Sequence, residues 1–181
     1  MLEEAEKRKV KKPLKKITKQ RLKNIALYYL KRFESSEANL RRVLLKRIND
    51  YAYQNPEFVK ADAYEWVDEL LDDFKRFKYI DDIRFAELKI RDYLAAGKAE
   101  RYIKGKLAEK GISEVLADQI LAQQEFSPFE NAMRLAKKKH IGPYRIDEEQ
   151  RREYRQKDMG TLIRAGFDYD VAVEVLNTSL D

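Results

Sequence analysis

Few side chains in this 181-residue sequence have the type and spacing that catalysis or metal binding needs. The chain has no cysteine, and His140 is its one histidine. This composition excludes thiolate metal sites, disulfides, cysteine nucleophiles and multi-histidine metal centres. No nucleophile-elbow or phosphate-loop motif accompanies His140. We therefore predict that the protein is not an enzyme, that it needs no metal or cofactor, and that His140 is an exposed loop residue.

Two carboxylate pairs, Asp72-Asp73 and Asp81-Asp82, resemble the paired acids of hydrolytic sites. Neighbouring positions point to different sides of a helix, so neither pair can converge on one substrate atom. Helix-end electrostatics explains the second pair better. Asp81 is predicted to cap a helix, and Asp82 is predicted to lie in its first turn, where negative charge is favoured.

Basic clusters are the strongest candidates for binding. They fall into three groups. Two lie on equivalent helices of the first and second units, and the third ends a helix of the third unit. The candidate residues are Arg41, Arg42, Lys46, Arg47, Lys98, Arg101, Lys104, Lys106, Lys137, Lys138 and Lys139. On repeated units they would form a discontinuous basic track that faces an acidic protein surface or DNA phosphates. For any single residue, ordinary solvated charge is the commoner explanation.

The net charge of +6 is unevenly distributed. Residues 1–23 contain ten of the 38 basic and three of the 32 acidic residues, which gives this segment +7 and the remainder −1. We interpret residues 1–23 as a flexible basic arm. Such a segment binds nucleic acid or another polyanion, or it serves as a tail that keeps the chain in solution.

The elements that position these residues are predicted to be helices. Six glycines and four prolines are few for a sheet protein, and charged residues reach 39%. Apolar residues recur at helical spacing from about Leu22 onward, whereas residues 49–60 predict a loop or irregular insertion around Pro56. Trp66 lies on an apolar stripe and is expected in a core. The insertion's aromatic residues either form an exposed patch for a partner or cover the first unit; they are Tyr51, Tyr53 and Phe58.

An internal repeat organises the chain. The segment from Gly111 aligns without a gap with the segment from Gly166, and the match includes the glycines, the helix caps and the core leucines. A fainter copy aligns Glu37 with Glu100, but there the expected glycine is Ile48. Chance similarity of amphipathic helices is the alternative, yet a match at caps, stops and core positions together favours true repetition.

The predicted fold class is therefore all-α, an elongated, curved array of three tandem three-helix repeats with helix-turn-helix-like units. After the arm of residues 1–23, we place repeat 1 at 24–76 with its insertion near 49–60, repeat 2 at 77–125 and repeat 3 at 126–181.

The order and spacing of these motifs resemble the RecX family of bacterial recombination regulators. The resemblance covers roughly residues 24–178. In the middle repeat the matching motifs are Tyr79-Ile80-Asp81-Asp82-x-x-Phe85-Ala86, Gly97-Lys98 and Ile103-x-x-x-Leu107-x-x-Lys110-Gly111-Ile112. In the first repeat they are Asn24-x-Ala26-Leu27-x-Tyr29-Leu30 and Ser36-x-x-x-Leu40-Arg41-Arg42-x-Leu44. In the third they are Ala132-x-x-Leu135-Ala136 and Leu162-x-x-x-Gly166-Phe167-x-Tyr169.

The resemblance implies a cytoplasmic regulator that binds the RecA recombinase filament on single-stranded DNA and inhibits its ATPase and strand-exchange activities. We expect a monomer. We also expect no membrane contact, since no apolar run approaches the length of a membrane span and the N-terminus has no apolar signal region. The alternative function is a stand-alone DNA-binding protein, because small three-helix units resemble helix-turn-helix modules.

Overall fold

The computed structural model describes residues 14–124 and 127–180. Within these ranges the chain forms ten α-helices, one 3₁₀-helix and no strand. The helices build three small units in chain order, each around its own hydrophobic cluster. The predicted all-α fold class with tandem helical units is confirmed.

The first unit contains α1 (Lys19–Leu30), α2 (Glu37–Gln54) and α3 (Lys60–Arg76). Thr18 and Ser36 cap α1 and α2 by accepting backbone N–H bonds. Burial of one apolar stripe from each helix makes the core, which contains Ile17, Leu22, Ala26, Leu40, Leu44, Ile48, Ala63, Val67, Leu70, Leu71, Phe74 and Ile80.

Helix α1 begins at Lys19, three residues before the start expected near Leu22. Ile17 and Leu22 are buried in the first core, so the chain from Ile17 onward belongs to the folded unit. Residues 1–13 of the predicted arm lie outside the described residues. The flexible-arm prediction is therefore not supported for residues 17–23, because their apolar side chains are packed.

The predicted loop at residues 49–60 is wrong for its first half, because α2 continues through Gln54. Ile48 takes the place of the expected glycine and is fully buried, so nothing stops the helix there. The Tyr51 and Phe58 rings pack edge to face at 5.0 Å and cover the first core, whereas Tyr53 is exposed. Trp66 packs against that core but stays half-buried.

The second unit contains α4 (Asp82–Ala95), α5 (Glu100–Ala108) and α6 (Glu114–Leu121). The predicted Asp81 cap is confirmed, and Ser113 caps the third helix of this unit. Asp81 accepts bonds from the N–H groups of Ile83 and Arg84, and Ser113 accepts one from Leu116. The core comprises Phe85, Ala86, Ile90, Ile103, Leu107, Ile112, Ala117, Ile120 and Leu121.

The third unit contains α7 (Pro128–Lys139), a 3₁₀-helix (Gly142–Tyr144), α8 (Glu148–Glu153), α9 (Arg155–Arg164) and α10 (Tyr169–Asn177). Ser127 caps α7 by accepting the Glu130 N–H. Its core comprises Ala99, Ala132, Leu135, Ala136, Ile141, Leu162, Phe167, Ala172 and Val175.

The capping pattern Asp147-Glu148-Glu149-Gln150 predicts one helix that runs to Ala165. The structure contradicts this prediction, because the helix breaks at Tyr154. The repeat alignment explains the break, since it pairs Tyr154 with Ala99 and Ser36, the residues that precede α5 and α2. Helix α9 thus corresponds to the second helices of the other units, α2 and α5. Buried Asp158 on α9 accepts bonds from the Gly142 N–H and the Arg145 guanidinium, and so holds the connecting loop.

The glycines that stop α5 and α9 are contact points between units. Gly111 has a φ of 80°, and a Cβ placed on it would lie well under 3.0 Å from the Ala38 Cβ of the first unit. Gly166 has a φ of 98° and lies against Ala99 and Tyr102 of the second unit. A glycine at each position therefore provides both a left-handed turn and a close approach.

Candidate interaction surface

Three of the four predicted cations of the first unit, Arg41, Arg42 and Lys46, line one shallow depression of about 460 Å³ along α2. Arg41 forms an ion pair with Asp68 of α3, and an Arg42 Nη donates to the Glu109 carbonyl at 3.0 Å. These two arginines therefore also connect helices and units. Lys46 is exposed and has no ion pair with any described carboxylate.

The predicted cations of the second unit are mostly engaged. Lys104 Nζ lies 2.6 Å from carboxylate oxygens of both Glu100 and Asp118. The pKa of Lys104 is raised by its hydrogen bond to Asp118, which has the larger effect, and by its hydrogen bond to Glu100. Lys106 pairs with Glu109 at 2.8 Å, and this hydrogen bond raises its pKa.

Two further cations complete this second group. Lys98 Nζ lies 4.7 Å from the centre of the Tyr102 ring, a cation–π distance. Arg101 is exposed, lines the cleft between the second and third units, and pairs with none of the described carboxylates. Arg101 is therefore the cation of this group that is least engaged in ion pairs or cation–π contacts with described residues.

The third group, Lys137, Lys138 and Lys139, forms the last turn of α7. All three are exposed, and within the described part of the chain none forms an ion pair. Their charge complements the carbonyl end of the helix. His140 follows them, exposed as predicted and with a left-handed φ of 52°.

The eleven predicted cations thus occupy separate patches on the three units rather than one pocket, and their role as a partner-binding track stays a prediction. Arg41 and Lys104 occupy aligned positions of the repeat and have the same structural role. Each forms an ion pair that joins the second helix of its unit to the third. In the third unit, Met159 and Val173 occupy the positions of Lys104 and Asp118.

Sequence reasoning missed a cationic surface around α1. Residues 14–33 carry no carboxylate, and their seven cations are Lys15, Lys16, Lys19, Arg21, Lys23, Lys31 and Arg32. Much of the charge attributed to a flexible arm therefore lies on or beside a packed helix. The signal was present as a carboxylate-free run of 27 residues, from Lys7 to Phe33, that continues into the periodic apolar segment.

Two clefts flank α1. One, of about 870 Å³, lies between α1 and the end of α2, and its lining includes Lys15, Arg21, Tyr28, Arg47 and Tyr51. The other, of about 540 Å³, lies between α1 and the end of α3. Its lining is more aromatic and includes Leu27, Phe74, Phe77 and Tyr79, with Lys19 and Lys23 at the side of α1.

No group of three or more metal-ligating side chains occurs among residues 14–124 and 127–180. Over the same ranges, no helix is both long and apolar enough to cross a bilayer.

Comparison with known proteins identifies the family. A family model described as "RecX, second three-helix domain" matches residues 81–121, the span from the Asp81 cap to the end of α6. A protein named regulatory protein RecX from Myxococcus xanthus is 34% identical over 167 residues, which cover 91% of this chain and 89% of that protein. The chain belongs to the RecX family.

Other RecX proteins agree with this assignment. The regulatory protein RecX of Agrobacterium fabrum is 28% identical over 85% of this chain and 80% of its own length. A crystal structure of regulatory protein RecX superposes with a TM-score of 0.61 at 25% identity and covers 88% of this chain and 72% of that one. RecX from Lactobacillus salivarius has the same fold, with a TM-score of 0.59 at 20% identity over 87% and 94% of the two chains.

Proposed function

We propose that this RecX-family chain binds the RecA recombinase filament on single-stranded DNA and inhibits its ATPase and strand-exchange activities. The observation that carries the proposal is the 34% identity with regulatory protein RecX over nine-tenths of the chain. The relatives' name supports a regulatory role, and the RecA filament as its target comes from the family resemblance.

The architecture is suited to a long, repetitive target. Three separate cores follow one another, and contacts at two junctions join each unit to the next. Each unit has exposed cations of its own, such as Lys46, Arg101 and Lys137. An array of this kind presents similar surfaces at intervals, which suits a partner built from identical subunits.

The direct test measures RecA-catalysed ATP hydrolysis on single-stranded DNA with increasing amounts of this protein. We expect the rate to fall at substoichiometric amounts, and strand exchange to fall with it. An unchanged ATPase rate at equimolar protein would contradict the proposal.

The exposed lysines of the third unit provide a matched pair of variants. Changing Lys137, Lys138 and Lys139 together to Gln removes three charges, whereas changing them to Arg keeps the charges. If these residues contact the filament, inhibition weakens in the Gln variant alone. Equal inhibition by both variants would remove this patch from the predicted track.

A stand-alone DNA-binding function is the second candidate, favoured by the carboxylate-free cationic segment of residues 14–33. It predicts tight DNA binding without RecA and a steep loss of affinity with salt. Truncation should stop at residue 13, because removing residues 1–23 would also remove Ile17 and Leu22 from the first core. DNA binding combined with unchanged RecA ATPase would favour this second function over the first.

A further inference from the structure

The cleft between α1 and the end of α2 combines three properties. Its volume is about 870 Å³, its lining includes three cations, and it includes two tyrosines. The cations are Lys15, Arg21 and Arg47, and the lining includes one carboxylate, that of Asp50. The charge of the lining is therefore +2, which favours a polyanionic ligand.

The aromatic side chains narrow the class of ligand. Tyr28 is 59% exposed although it is a large ring on a helix of the core unit. The Arg32 guanidinium lies 4.4 Å from the centre of this ring and holds it in a cation–π contact. Cations beside an exposed ring are the combination by which proteins bind single-stranded nucleic acid, because phosphates pair with the cations and an unstacked base covers the ring.

Arg21 lines the cleft beside Lys15. A guanidinium donates strong, charge-assisted hydrogen bonds to phosphate oxygens, so this residue suits an anionic ligand.

We propose that the cleft lined by Lys15, Arg21, Arg47 and Tyr28 is a binding site for single-stranded nucleic acid. The proposal deepens the proposed function, since it rests on a target that includes single-stranded DNA and assigns a contact with that DNA to the first unit. Bases in a duplex are already stacked on one another, so a ring at the cleft favours single strands over duplexes.

The experiment measures the fluorescence anisotropy of labelled oligothymidylate with the full chain and no recombinase, over a range of salt concentrations. The double variant Lys15→Ala/Arg47→Ala should bind about tenfold more weakly, and its log–log salt slope should fall by about 1.4, since each phosphate contact to a single strand contributes about 0.7. Tyr28→Ala should bind about tenfold more weakly with an unchanged slope, because stacking releases no counterion.

The control is Lys23→Ala/Lys31→Ala, which removes the same charge from the same unit but lies outside the cleft lining. All substituted side chains are exposed, so circular dichroism melting should give the same Tm for each variant. Equal weakening by both double variants, no effect of Tyr28→Ala, equal affinity for duplex DNA, or no binding of single strands would each overturn the proposal.

The ATPase assay separates this inference from the proposed function. If the wild-type chain inhibits RecA but does not bind oligothymidylate, the cleft proposal fails alone. If the cleft binds oligothymidylate as described and RecA is not inhibited, the proposed function fails alone.

Discussion

The two junctions between neighbouring units use the same backbone device with different side chains. In each, a glycine in the left-handed conformation packs against the start of the second helix of the preceding unit, at Ala38 for Gly111 and at Ala99 for Gly166. At the first junction that start is polar, because buried Ser36 donates to the Lys110 carbonyl while accepting the Asn39 N–H. At the second, the residue aligned with Ser36 is Ala99, which is buried in the core of the third unit.

Further bonds widen the contrast. Asp82 accepts the Glu37 N–H across the first junction, and Lys110 Nζ donates to the Asn39 side chain. Across the second junction the donors lie on α7 instead. Asn131 and Arg134 donate to the Lys98 and Leu94 carbonyls, and Gly97 packs against the α7 backbone near Leu135. The repeated units therefore share the close approach of their helices, whereas the chemistry around that approach varies.

The glycine substitutions should have the largest effects. Gly111→Ala combines left-handed strain with a clash against the short Ala38 side chain, which cannot move away, so we expect a loss of about 2 to 4 kcal/mol in unfolding free energy. Gly166→Ala meets its nearest atoms at 3.3 Å and should lose about 1 to 2 kcal/mol, mainly from strain.

Gly105→Ala is the matched control, because this glycine lies inside α5 and a Cβ placed on it would meet no atom within 4 Å. It should stabilise the helix by up to about 1 kcal/mol. Chemical denaturation of the three variants gives the order. A Gly166→Ala loss as large as that of Gly111→Ala would contradict the claim that the first junction is tighter.

Ser36→Ala tests the polar character of the first junction. It removes the cap of α2 and leaves the Lys110 carbonyl without this donor, so we expect a loss of about 1 to 2 kcal/mol in unfolding free energy. Ser113→Ala is the comparison, because Ser113 caps α6 within one unit and is exposed. A smaller loss for Ser36→Ala than for Ser113→Ala would show that the bond between units contributes nothing.

The aspartates at the start of α4 should respond to pH with opposite signs. Burial raises the pKa of Asp82, whereas the Arg84 N–H bond lowers the pKa of Asp81. The Asp82 contribution to stability is therefore present below about pH 4 and lost as pH rises through its folded-state pKa. The Asp81 contribution is present above about pH 4 and lost as pH falls through its folded-state pKa.

The two Asn variants separate these contributions. Relative to the wild type, Asp82→Asn should gain unfolding free energy as pH rises from about 3 to about 7, and Asp81→Asn should lose it. Urea unfolding at several pH values measures both trends. The same sign for both variants would refute the assignment.

Lys104→Met should have the smallest effect. Its ion pairs with Glu100 and Asp118 are partly exposed, and such pairs contribute about 0 to 1 kcal/mol. The third unit already has Met159 at the aligned position. We therefore expect a change of under about 1 kcal/mol in thermal or chemical unfolding, and a loss of several kcal/mol would show that these pairs hold the second unit together.

Much of the fold could be predicted because its signals are local. Helix caps such as Asp81, Ser113 and Ser127 satisfy N–H groups two or three residues away, so their spacing is visible in the sequence. The helical extent of residues 49–54 was missed because the role of the stop glycines is not visible in the sequence. Gly111 and Gly166 end their helices where they contact the preceding unit, whereas α2 has Ile48 at that position and continues to Gln54. The start of α1 was missed because charge dominated a segment in which Ile17 and Leu22 are nevertheless packed.

By itself, the sequence determined the helical class, the three-unit repeat, the resemblance to the RecX family and the absence of cysteine chemistry, because these follow from composition, periodicity and motif order. Tertiary structure alone decided that the stop glycines are contacts between units and that Arg41 and Arg42 are held by Asp68 and the Glu109 carbonyl. It also decided that the cations of α1 border a cleft with Arg47. Such pairings join residues distant in sequence, and only the packing of the helices brings them within contact distance.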